Sequence, residues 1–236
     1  MSKHLSIVGL VGMALAFGQG SVARGQAPPP GGTVVDGIAA VVDGAPLLRS
    51  EVENAAWYAR LSAQLARQAA PAGAHLEAAE KQTALRHLID EQLLAEAQAD
   101  EGYPPPPPAQ LETDVETQWA HLAGLAGGEA ALDARLAADH LDRAAVTALL
   151  RRQLTLLAFL DQHFSGSGTV TAAQIQHYYE TTFVPEAERR HLAAAPLAQV
   201  RATIATLLRQ RQRAAEEQQW LQTLRAGAHI ELRRPW

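Results

Sequence analysis

The sequence predicts a mainly α fold of six or seven helices with a small antiparallel sheet built from N- and C-terminal strands. Three observations carry that expectation. Apolar residues recur every three or four positions through long Ala- and Leu-rich stretches after residue 50, which is the period of a helix with one buried face. Ile38, Ala40 and Val42 alternate instead at a period of two and run into Asp43-Gly44, a pair favoured in two-residue hairpins because both positions tolerate positive φ. His229 to Arg233 is a second piece with the period of a strand.

Each element follows from local chemistry. After the turn, Ala45 to Leu48 returns as a second strand, and Pro46, which has no amide to donate, places that strand at an edge. Ser50 and Glu53 have capping-box spacing, so a helix is expected from there to about Gln68, before Pro71 and Gly73. The next runs from about His75 to Asp100 with Leu85, Leu88, Ile89 and Leu93 on one face, and Gly102 ends it. Pro104 to Pro108 reads as a stiff polyproline II connection rather than a docking ligand. A third helix spans Ala109 to Leu125, Gly127-Gly128 stops it, and a short helix covers Glu129 to Asp139.

Asp142 caps a longer helix through Phe164, whose stripe of Val146, Leu149, Leu150, Leu157, Leu160 and Phe164 is broadened by Leu156 and Phe159. Ser165 to Gly168 reads as a flexible break, and Thr171 with Gln174 is a second capping box. That box opens a helix reaching about Thr182. A long helix follows from Pro196 to Gly227. A lone hairpin is marginal in water. A third strand from 229–233 pairing with 37–42 closes a sheet and ties the chain ends together.

Residues 1–27 read as a secretory signal peptide: Lys3 and His4, an apolar run from Leu5 to Phe17, then the small-residue patterns Ser21-Val22-Ala23 and Gly25-Gln26-Ala27. The run is too short to span a bilayer, which takes about 20 residues, so no integral membrane segment is expected and the protein is placed in the periplasm or outside the cell. Residues 28–33 form a Pro/Gly linker, and 34–236 one domain, with an N-terminal part over 34–182 and a C-terminal helix and strand over 196–236. Removing Lys3 and Arg24 with no acid takes the formal charge from -5 to -7, which argues against nucleic acid as a partner. With no cysteine, stability rests on core burial, and thiolate metal sites are excluded.

The residues show no phosphate loop and no Gly-x-Ser-x-Gly elbow. A single Glu-x-x-His, Glu188 to His191, falls short of the paired motifs of a bundle di-metal site. No catalytic residue, metal or cofactor is expected. The aromatics have two readings. Each fills the helical core, or Trp57, Trp119 and Tyr179, with Leu122 and Tyr178, line an accessible cradle for unfolded chains. The arginines 201, 209, 211, 213 and 225 on the last long helix read as a solubilising face, with a basic groove for an acidic client as the other reading.

The order of these elements resembles the SurA/PrsA/trigger-factor-like family of exported chaperones, over nearly the whole of the chain after residue 27. The residues that carry the resemblance are Ile38 to Glu53, IAAVVDGAPLLRSEVE; Leu85 to Gly102, LRHLIDEQLLAEAQADEG; Tyr178-Tyr179-Glu180; and the late helix running into AHIELR. It implies a SurA N-terminal-type chaperone domain that binds unfolded or nascent exported polypeptides, outer-membrane clients among them, without ATP. Many members carry a parvulin-type prolyl isomerase domain after the tyrosine-containing helix. Here Phe183 to Pro196 holds 14 residues, whereas an independent domain needs at least about 50. The resemblance therefore implies a chaperone lacking the isomerase domain. Three other readings stay open at this stage: an isomerase relative with residual activity, an adaptor for one envelope protein, and a homodimer formed by exchange of terminal strands.

Overall fold

The computed structural model describes residues 36–67, 75–166 and 169–233. The signal-peptide and linker segments, Pro71 and Gly73, and the second half of the Ser165 to Gly168 break lie outside the described residues. Among the described residues the protein is mainly helical, with one three-stranded antiparallel sheet ordered β2-β1-β3.

Strand β1 (Ile38–Val42) turns through Asp43 and Gly44, at φ of 45° and 90°, into β2 (Ala45–Leu48). Both positive φ values are those a type I′ hairpin requires. Pro46 lies on the edge strand. Strand β3 (Ile230–Leu232) pairs with the other side of β1, matching Ala40 to Leu232, Val41 to Glu231 and Val42 to Ile230. The contact is extended beyond the ladder: the Asp43 amide donates to the His229 carbonyl at 3.0 Å, the His229 amide to the Asp43 carboxylate at 2.8 Å, and the Arg233 amide to the Ala39 carbonyl at 3.0 Å. The chain is clasped across 186 residues.

Helix α1 (Arg49–Leu65) begins one residue before the expected cap. Ser50 and Glu53 do not form a capping box. Glu51 instead accepts the Leu48 amide at 2.7 Å, while the Ser50 amide and hydroxyl both donate to Asp36. A carboxylate 14 residues upstream thus does the work the sequence assigned to a local serine. Glu53 is left to pair with Lys81 at 2.6 Å. Helix α2 (Ala78–Asp100) starts later than His75, behind a Glu77–Glu80 turn, and ends at Gly102 with φ 70°, where the Tyr103 amide returns to the Gln98 carbonyl at 3.0 Å. This is the left-handed exit that glycine makes easy. Helices α3 (Pro108–Ala126), α4 (Glu129–Ala138) and α5 (Arg143–His163) follow, with Asp142 capping α5 at the Ala145 amide, 2.7 Å away.

Two apolar cores result. One joins the second half of α1 to α3, α4 and the first half of α5, around Leu61, Trp119, Leu132 and Val146. The other joins the sheet to the first half of α1 and to α2, around Val42, Val52, Leu88 and Leu93, with Leu224 and Ile230 packed against it. Each fully buried Leu, Val or Trp in them contributes roughly 1.5–3 kcal/mol relative to exposure. Arg60 is 4% exposed and joins α1 to α2 by a two-pronged ion pair with Glu80, one prong of 2.8 Å. On α5 the deepest residues are Val146, Leu150, Leu156 and Phe159, whereas Leu149, Leu157, Leu160 and Phe164 are half-buried. The helix turns two different faces to two different neighbours along its length.

The last third departs furthest from expectation. Helix α6 (Ala172–Tyr178), opened by the reciprocal Thr171 and Gln174 bonds, runs into a π segment (Tyr179–Phe183) and then into an additional helix, α7 (Val184–Arg189). Pro185 is the second residue of α7. Helix α8 (Leu197–Gly227) has 31 residues, a length of about 46 Å. Its second half docks on the body: Arg213 pairs with Asp161 at 2.6 Å, Trp220 stacks on His163 at 4.3 Å, and Arg225 reaches Asp90 at 2.5 Å. Its first half packs on α6 and contributes no residue to either core, and together with α6 and α7 it forms an arm. No described helix is long and apolar enough to cross a membrane.

Candidate functional site

The five residues singled out as a cradle divide sharply. Trp57, Trp119 and Leu122 all belong to the first core, and Trp119 is 1% exposed. Arg143 covers the Trp119 ring at 4.4 Å and Arg60 approaches the Trp57 ring to 4.8 Å. These three side chains have almost no surface to offer a client, so the expectation of an accessible cradle is corrected there. The reason is packing: α3 and α4 fold back over α1, which turns a stripe that looks spare in one helix into a shared interior.

Tyr178 and Tyr179 lie in the arm, both half-buried. Tyr179 stacks on Phe183 with ring centroids 5.6 Å apart, and its hydroxyl donates to the Ala195 carbonyl at 3.0 Å. That bond fastens the connection between α7 and α8 to the π segment. Tyr178 faces the other way, into an open cleft of about 460 Å³ between α6 and α8, within the roughly 300–1,000 Å³ usual for ligand clefts. Val170, Gln174, His177, Thr181 and Thr182 line one wall and Leu208, Arg211 and Gln212 the other. The Arg211 guanidinium lies 5.3 Å from the Tyr178 ring centroid, a cation–π contact.

The cleft was hidden from sequence reasoning because it depends on α8 packing against a helix about 30 residues upstream, and no local signal encodes that pairing. One clue was present. Gln174, His177, Tyr178, Thr181 and Thr182 have the spacing of a single helix face, and a face of such residues is poorly suited to a dry packing seam. Large apolar side chains exposed among the described residues are Ile38, Leu125, Leu192 and Leu232, on β1, α3, the α7–α8 connection and β3.

Ionisable groups elsewhere serve the docking of helices. Glu91 on α2 faces Arg152 of α5 at 3.1 Å, and burial pushes its carboxyl above the usual range against the pull of that cation. Asp90 is likewise raised by burial despite Arg225. Burial also works on Glu80, but the Arg60 hydrogen bond, the Glu77 amide and the Arg60 charge together hold its carboxyl below the ordinary value. Among the described residues no group of three or more His, Asp or Glu side chains is placed to hold a metal ion. No protein-family model matches the chain, and no curated protein matches it.

Proposed function

We propose that the protein is an exported, ATP-independent chaperone-like protein that holds unfolded polypeptides in the periplasm or cell envelope, without a catalytic domain of its own. The observation that carries this reading is the division of labour in the fold. A clasped body, closed by β1 and β3, carries an arm with an open cleft lined by a tyrosine, an arginine and short polar side chains. Weak contacts at several such points suit extended chains of varied sequence, and capture of the unfolded state lowers its free concentration by mass action. Further support comes from the 14 residues from Phe183 to Pro196 inclusive, which are spent on the end of the π segment, α7 and a short connection.

The test is suppression of aggregation of several unrelated unfolded clients, followed by light scattering, without nucleotide. Suppression of all of them at near-stoichiometric ratios is the expected result, weakened by Tyr178→Ala. A protein that suppresses none, or that co-purifies with one folded partner only, is an adaptor rather than a holdase. Turnover in a protease-coupled proline-isomerisation assay would overturn the non-enzymatic part of the proposal.

A further inference from the structure

The arginines of α8 differ in what they meet. Arg213 is held between Asp161 and Glu217, each at 2.6 Å, and Arg225 is held by Asp90. Arg211, two residues from Arg213, points into the cleft instead. The Tyr178 ring takes one side of its guanidinium, and no carboxylate lines the cleft. An arginine fork presents five N–H donors in a plane, and an aromatic ring under that plane leaves the donor edges available for a bidentate acceptor.

We propose that this cleft is a carboxylate-recognition site for polypeptide chains, with Arg211 as the anchoring cation and Tyr178 as its platform. The inference rests on the reading of the protein as a polypeptide holder. Val170 and Leu208 offer apolar surface for the carbon stem of the acid, and Thr181, Thr182 and Gln174 bring hydroxyl and amide groups to the rim. A single fixed cation matches a monoanion. A phosphate dianion is ordinarily held by several cations or by a nest of backbone amides.

The charge distribution points the same way. Residues 36–166 carry 19 acids against 9 Lys and Arg, a formal charge of -10, whereas the arm, residues 169–212, carries 3 acids against 5 arginines, a formal charge of +2. At physiological salt the screening length is about 8 Å, so an acidic group arriving at the arm responds to the arm and little to the body.

The experiment uses the whole protein and short rhodamine-labelled peptides built from Ser, Gly and Leu, in three forms: a free C-terminal carboxylate, a C-terminal amide, and an amide with one internal glutamate. Binding is read by fluorescence anisotropy. A carboxylate-bearing form is expected to bind about tenfold more tightly than the neutral amide, a difference of about 1.4 kcal/mol. Arg211→Gln removes that preference, Arg211→Lys keeps part of it, and Arg201→Gln, on an exposed turn of the same helix outside the cleft, leaves it unchanged. Preference for the free terminus alone identifies a chain-end reader, and equal preference for the internal glutamate identifies a side-chain reader. Displacement of the peptides by millimolar inorganic phosphate overturns carboxylate in favour of phosphate. Equal binding of all three peptides while client aggregation is still suppressed overturns the carboxylate site and leaves the holdase reading standing. Binding of none, with no suppression, overturns both.

Discussion

The body and the arm are built from similar helices, yet they bury very different amounts of side chain. In the body, the sheet and α1 to α5 share two cores that include Trp119, Leu61, Leu132 and Val42, all at 1% exposure or less. In the arm, from α6 through the first half of α8, only Ile175 and Ile204 fall in the buried class. The body holds itself together, and the arm is held mainly by being continuous with a helix the body has already docked. Such unevenness is expected of a protein whose contact surface must stay open, because ligand-binding elements come from the low-stability end of a fold.

The largest effect that contrast implies is on global stability. Trp119→Ala empties the centre of the first core and is expected to cost about 3–5 kcal/mol in denaturant unfolding, whereas Leu208→Ala in the arm is expected to cost under about 1 kcal/mol. Equal costs would erase the distinction between the two regions. Next comes the ion pair joining α1 to α2. Arg60→Ala leaves the Glu80 carboxylate without its partner in a largely closed site, an expected loss of about 3 kcal/mol, and Arg60→Met with Glu80→Leu is expected to recover most of it. Smallest is the response to pH, where two carboxylates on α2 carry opposite signs. Glu80 lies below its ordinary 4.5 in the folded state, so its contribution is present above pH 4.5 and lost as pH falls through the lower folded value. Glu91 lies above 4.5, so its contribution is full below 4.5 and lost as pH rises through the higher folded value. Glu80→Gln and Glu91→Gln are therefore expected to remove slopes of opposite direction from a plot of unfolding free energy against pH.

The body was also the more readable region from sequence alone. The Asp43-Gly44 hairpin, the edge placement of Pro46, the Asp142 cap and the stops at Gly102 and Gly127 follow from short-range rules, the pairing of 229–233 with 37–42 follows from two period-two segments that each need a partner, and the structure carries each of them. What escaped was chemistry supplied from a distance. Asp36 takes Ser50 away from its expected partner, and the meeting of α1, α3, α4 and α5 encloses Trp57 and Leu122 in one core. The continuation of α6 through the π segment into α7 also lay outside reach, because a single inserted residue in a helical ladder has no compositional signature. Of the proposed contact residues Tyr178 alone lines the cleft, and its companion Arg211 reads in the sequence as part of a solubilising face.

The clasp between β1 and β3 has a consequence for timing. Ribosomes add about 5–20 residues per second, so residues 38–48 are made roughly ten seconds or more before residue 230, with which Val42 pairs. Through that interval one side of β1 presents unpaired amides and carbonyls, and Val42 and Leu88 lack the Leu224 and Ile230 that later pack beside them. For most of its own synthesis this chain is itself a nascent polypeptide with an open strand edge, vulnerable to the same misassociation it is proposed to prevent in others.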